Sequence, residues 1–93
     1  MMIRSFRDKD AQALFEGRPT RRYRAIEKQA QRRLQYLDAA TSQSDLAARP
    51  SNRFEHLSGN RKGQCSIRIN DQWRLVFRWT PEGAEEVEIV DYH

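Results

Sequence analysis

The spacing of apolar positions changes period once along this chain, close to residue 52, and divides it into a helical half and a sheet half. Residues 2–6 read as a short half-buried strand of period two. Ala11, Leu14 and Phe15 then fall at i, i+3 and i+4, with Asp8 or Asp10 placed to cap the first amides. This predicts a two-turn helix that stops at Gly17-Arg18-Pro19. Tyr23, Ile26, Ala30, Leu34 and Leu37 keep helical spacing while Arg24, Lys28, Gln31, Arg32 and Gln35 take the other face, predicting the main amphipathic helix over 23–40. Residues 41–52, rich in Ser, Ala and Asp with Pro50 near the end, form a connector with one helical turn around Asp45 and Leu46.

Beyond Asn52 the period is two. Residues 53–57 predict a short strand, and 58–63, with two glycines, a turn. Over 64–69, Cys65, Ile67 and Ile69 share one face and Ser66 and Arg68 the other. Over 73–79, Trp73, Leu75, Phe77 and Trp79 oppose Arg74, Val76 and Arg78, which is the clearest strand of the sequence. Pro81-Glu82-Gly83 turns the chain into a last strand over 86–92, with Val87 and Ile89 on one side and Val90 and Tyr92 on the other. Helices first and strands after them predict an α+β fold, N-terminal helices packed on one face of a small, mainly antiparallel sheet. The covered face would hold Ile67, Trp73, Leu75, Phe77 and Val87, which makes Trp73 and Trp79 core residues before base-stacking platforms. Arg68, Arg74 and Arg78 would project from the opposite, uncovered face.

Composition narrows the function. The 93 residues are enough for one domain, 1–93, and a chain of this size buries roughly 60–65% of its unfolded surface. No apolar run exceeds three residues, too short to span a membrane, and the charges at Arg4, Arg7, Asp8, Lys9 and Asp10 argue against a secretion signal. Cys65 has no second cysteine to pair with, and with two histidines it makes no familiar zinc site, so no metal and no cofactor are expected. A reducing cytoplasmic location follows.

The cations are 14 Arg and 3 Lys, for a net charge of +4. Arginine meets phosphate oxygens bidentately and stacks on bases, so this choice points to nucleic acid. Ten of the 17 cations fall in residues 1–40, among them Arg21 and Arg22, whereas residues 79–93 carry none and five acids.

Four groups of residues could carry chemistry. Arg74 and Arg78 lie four apart on one strand, roughly 13 Å at strand rise. Arg78 has Glu86 and Glu88 as potential partners across the sheet, while Arg74 has fewer obvious acidic neighbours and is the favoured phosphate ligand. Asp91, Tyr92 and His93 follow an apolar strand and offer groups for proton transfer. Glu55 and His56 alternate, so only one can face the arginines. The turn holding Arg61 and Lys62 could bind a phosphate, although most charged turns only reverse the chain. Cutting RNA without a metal needs a base for the 2′-hydroxyl, an acid for the leaving 5′-oxygen and cations on the phosphate, and these residue types supply all three.

The opening IRSF, the central RRLQYLDAA, the block GNRKGQCSIRINDQWRLVFRW and the ending VEIVDYH together resemble the HigB branch of the RelE-type toxins, the toxin halves of bacterial type II toxin–antitoxin pairs. The resemblance covers nearly the whole chain. It implies the RelE-like toxin fold and a ribosome-dependent endoribonuclease. Such an enzyme cleaves messenger RNA in the A site, on the small ribosomal subunit, by metal-independent 2′-hydroxyl attack, and so inhibits translation. The resemblance also implies a cognate helix-turn-helix antitoxin, through which alone the toxin would meet operator DNA. The family's active site falls here on Arg74, Asp91, Tyr92 and His93. A histidine the family can carry before the glycine turn aligns with Glu55, with His56 one residue later. Either Glu55 does that work, or a bulge brings in His56, or the role is dispensable. A lysine sometimes found before the turn's glycine is Ser58 in this chain, which would pass its charge to Arg61 or Lys62. Arg68 and Arg78 would complete the RNA surface, with Arg21 and Arg22 on ribosomal RNA. Two rivals predict no cleavage: a toxin of the same fold that binds DNA gyrase, and an inert module that binds RNA or antitoxin.

Overall fold

The computed structural model describes residues 2–91. Three helices, α1 (Lys9–Phe15), α2 (Glu27–Ala39) and α3 (Gln43–Ala47), precede four strands, β1 (Glu55–His56), β2 (Cys65–Arg68), β3 (Trp73–Thr80) and β4 (Gly83–Asp91). The strands pair antiparallel in the order β1-β2-β3-β4. This is the expected α+β arrangement.

Asp8 is the local start signal. Its Oδ1 accepts from the amides of Asp10 (2.9 Å) and Ala11 (3.2 Å), satisfying donors that the first turn of α1 leaves open. Its other oxygen accepts from the hydroxyl of Tyr23 at 2.6 Å and from the amide of Ile89 on β4 at 3.3 Å. One carboxylate therefore ties α1, the entry to α2 and the last strand together. Desolvation first, then the Asp8 contact, push the Tyr23 phenol well above its usual range. Drawing Tyr23 into the core also explains why the helix expected over 23–40 opens with a 3₁₀ turn (Arg24–Ile26) before α2 begins. The helical turn expected near Asp45 is α3, capped by Ser42.

Leu75 and Phe77 of β3 face the helices, with Ile67 of β2 and Ile89 of β4 opposite Leu75. They bury against Leu14, Leu34, Leu37 and Leu46, with Trp73 and Trp79 packed at the margin. Burial also raises the pKa of the Cys65 thiol.

The strands depart from the sequence pattern at three places. β4 begins at Gly83, not at residue 86, and its register against β3 shifts between Val76 and Arg78. Glu86, at φ 54°, is in the left-handed region at this bulge. The extra residue puts Ala84, Val87 and Ile89 all in the core, breaking the period-two signal. The N-terminal segment follows the same edge as two parallel bridges, Ile3 to Ala84 and Phe6 to Val87, and not as a full strand. Gly83, at φ 134°, is required there because a Cβ would collide with the Met2 carbonyl. The strand expected over 53–57 shrinks to β1.

Replacing Asp8 with alanine should lower the unfolding free energy by about 2–4 kcal/mol, and Tyr23→Phe by about 1–2 kcal/mol. Because both act through one network, the double variant should cost little more than Asp8→Ala alone, as measured by urea denaturation.

Candidate functional site

The face of the sheet turned away from the helices is organised by Arg74. Strand alternation sends its side chain there beside Ser66 and Val76. Its Nη1 donates to Ser66 Oγ at 2.7 Å and to the Arg53 carbonyl at 3.2 Å, and Nη2 lies 2.8 Å from Glu55 Oε1. Arg53, at φ 45°, is held in a left-handed conformation just where its carbonyl meets this guanidinium. Arg74 is 9% exposed. The expectation of few acidic neighbours is thus corrected, because β1 pairs with β2 in a register that sets Glu55 against Ser66.

Nor is this face uncovered. Ser66 and Val76 are fully buried. Arg61 reaches from the 3₁₀ turn Gly59–Arg61 to within 3.6 Å of Glu88 Oε2 on β4, and Arg7 approaches the same oxygen at 3.7 Å. That oxygen is shut off from water and accepts no hydrogen bond among the described residues. Arg78 pairs with Glu86 at 3.1 Å, one of its two expected partners, and its guanidinium backs onto Gly63. Lys62 is exposed beside that turn.

What stays open is a cleft of about 260 Å³ lined by Arg53, Arg68, Asn70, Asp71 and Arg74. Arg68 is paired with Asp71 at its rim. Three guanidinium groups around a polar hollow suit a phosphate.

Other candidates lie elsewhere. His56 does not join Arg74: it pairs in register with Cys65, so alternation turns it to the opposite side. Its Nδ1 is 3.6 Å from Cys65 Sγ, and its ring meets Phe54 edge-on. Asp91 stands opposite Trp73, one step out of phase with Arg74, and accepts from Gln72 at 3.1 Å. Tyr92 and His93 lie outside the described residues. Arg21 and Arg22 are exposed before α2 and do not line the cleft, Arg22 resting over the Tyr23 ring. Among the described residues no three His, Cys, Asp or Glu side chains converge as a metal site would require, and no helix is long and apolar enough to cross a membrane.

Sequence reasoning missed Ser66 and the Arg53 carbonyl, the two groups that orient Arg74. Ser66 carried a faint signal, a lone hydroxyl on a strand between Cys65 and Ile67; a backbone carbonyl carries none.

Comparison with known proteins converges on one group. Residues 4–93 match the family described as the RelE-like toxin of type II toxin–antitoxin system HigB. The chain is 48% identical to Toxin HigB-1 of Vibrio cholerae, over 99% of this chain and 98% of that one. It is 33% identical to Endoribonuclease HigB of Proteus vulgaris, over 99% and 100% of the two chains. Among solved structures, YafQ from E. coli strain BL21(DE3) superposes with a TM-score of 0.67 at 13% identity, covering 96% of this chain and 90% of that one. A YoeB/ParE toxin from Agrobacterium tumefaciens gives 0.57 at 18% identity, covering both chains entirely. At these identities the structural likeness speaks for the fold.

The supports of Arg74 should differ in energetic weight. Ser66→Ala strands a buried donor and should cost about 1–3 kcal/mol, whereas Glu55→Gln, at a half-exposed ion pair, should cost less than about 1 kcal/mol. Urea unfolding of the two variants checks that order.

Proposed function

Because the chain belongs to the HigB-like toxins of the RelE family in type II toxin–antitoxin systems, we propose that it is an endoribonuclease that enters the ribosomal A site and cleaves messenger RNA there. The observation that carries this reading is the cleft where Arg53, Arg68 and Arg74 converge, with Glu55 2.8 Å from Arg74. The scissile phosphate binds in that cleft, with Arg74 and Arg68 meeting its oxygens. Glu55 takes the proton of the 2′-hydroxyl, whose oxygen attacks phosphorus. The guanidinium groups stabilise the extra negative charge on the pentacoordinate phosphate, in place of a metal. The 5′-oxygen leaves with a proton supplied by His93, giving a 2′,3′-cyclic phosphate and a 5′-hydroxyl. Asp91 assists that proton transfer. Tyr92 stacks on or orients the nucleotide, since a phenol with a pKa near 10 is a poor base.

Glu55 is preferred to His56 on geometry: β1 pairs with β2 without a bulge, so only Glu55 shares a face with Arg74. As the toxin half of such a pair, the protein has an antitoxin as partner. We assign that antitoxin a helix-turn-helix and the toxin a cytoplasmic site of action.

Primer extension on message programmed into ribosomes, with desalted, EDTA-treated toxin and only the ribosomes' magnesium restored, tests the scheme. Arg74→Ala should lower cleavage by about 10²–10³-fold. Glu55→Gln should lower it by about 10²-fold or more, and further than His56→Ala does. Uncut message from folded, antitoxin-free toxin would overturn the proposal, and inhibition of gyrase supercoiling by that protein would replace it.

A further inference from the structure

A second arginine cluster lies on the helical side of the cleft. The Arg49 guanidinium carbon is 3.8 Å from the centroid of the Tyr36 ring, and that of Arg33 is 5.4 Å from the same ring. Arg33 Nη1 donates to the neutral acceptors Asn52 Oδ1 (2.7 Å) and Ser51 Oγ (3.2 Å). Among the described residues no carboxylate pairs with Arg32, Arg33 or Arg49, whereas Arg61, Arg68, Arg74 and Arg78 are each paired. The pKa of Arg33 is lowered, first by burial and then by Arg49, Arg68 and Arg32, against a raising contribution from Tyr36. Gathering like charges with no carboxylate paired to them favours an anion at the site.

The cluster is continuous with the Arg74 cleft. Residues 49–53 connect them: Arg49 stacks on Tyr36, Ser51 and Asn52 hold Arg33, and Arg53 lines the cleft while its carbonyl accepts from Arg74. Arg68 lines the cleft as well. Beside Arg49 is a hollow of about 180 Å³ bounded by Tyr36, Leu46, Asn52 and Asp45, whose carboxylate is taken up by the amide and hydroxyl of Thr41.

We propose that Arg33, Tyr36 and Arg49 form a second RNA subsite, which holds the backbone and a base of an RNA strand passing from the Arg74 cleft over the 49–53 segment to α2. This rests on the endoribonuclease reading and adds a binding residue set to it. Guanidinium groups meet phosphates, and the aromatic stack offers a planar platform to a base. An acidic protein segment would use the charges but gain little from the stack, so RNA is the better fit.

The test uses fully 2′-O-methylated RNA, which has no attacking hydroxyl, in lengths of about four and about twelve nucleotides, the shorter filling the cleft alone. Binding is read by fluorescence anisotropy across a salt series. Arg49→Gln and Tyr36→Ala should weaken the longer strand about tenfold and leave the shorter unchanged, and Arg49→Gln should reduce the salt slope by about 0.7 for each phosphate it no longer holds. Tyr36→Phe should bind as wild type. Sedimentation with vacant ribosomes separates the sources: loss there with the free strand unaffected identifies ribosomal RNA, loss with both identifies a site open to either strand, and both results support the subsite. If long-strand and ribosome binding both survive, or if only binding of the antitoxin falls, the inference is overturned. A lowered urea midpoint with full RNA affinity would make the stack a packing contact and overturn it too. Strand and ribosome binding that both depend on Arg74 and not on Arg49 overturn this inference alone; binding of neither RNA nor ribosomes by folded wild type overturns it together with the proposed function.

Discussion

A guanidinium that is 9% exposed on a central strand has to be satisfied by groups the protein brings to it, and much of the sheet half is arranged around that requirement. Arg74 draws on β2 through Ser66, on the segment before β1 through the Arg53 carbonyl, and on β1 through Glu55. β1 is two residues long and could not hold its place on ladder hydrogen bonds alone. The left-handed conformation at Arg53 costs energy for a non-glycine residue, and the hydrogen bond its carbonyl accepts offsets it. Removing the cation would therefore loosen the edge of the sheet as well as empty the cleft.

How much of this was legible depended on whether the information was local. The alternation of Trp73 to Trp79 is local, so β3 and the facing of Arg74 and Arg78 follow from the sequence. The start of β4 does not, because Glu86 adds one residue to the strand and hides Ala84 behind a broken period. Alternation alone tells that Glu55 and His56 point apart; choosing between them needs the register of β1 on β2. Arg78 lies one hairpin away from Glu86, and that pairing was foreseeable. The partner of Arg74 was not, since Glu55 belongs to a strand two places along the sheet and 19 positions back in the chain.

The charge distribution gains meaning once the strands are in place. The five acids of residues 79–93 are mostly on β4, beside β3, where Glu86 takes Arg78 and Glu88 draws in Arg7 and Arg61. These pairs neutralise the β4 side of the face turned away from the helices. On the other side, Arg53 lines the cleft and Arg33 and Arg49 gather on Tyr36 with no carboxylate paired to any of the three among the described residues. The net positive charge is thereby polarised across the sheet, and an anionic strand would be drawn to one end of the face before any specific contact forms.

The same geometry separates what must stay fixed at Arg74 from what can exchange. Its bonds to Ser66 and the Arg53 carbonyl are made on the buried side and set the plane of the guanidinium before any ligand arrives. Its ion pair with Glu55 is on the open side, where the carboxylate is half exposed and the pair adds little to stability. An incoming phosphate can take over that side of the guanidinium without disturbing the other. In the proposed reaction the displaced Glu55 would stay beside the sugar attached to that phosphate, released from its ion pair with Arg74. A contact that looks like competition for the cation would thus, in the proposed reaction, hold a base next to the place where it is needed.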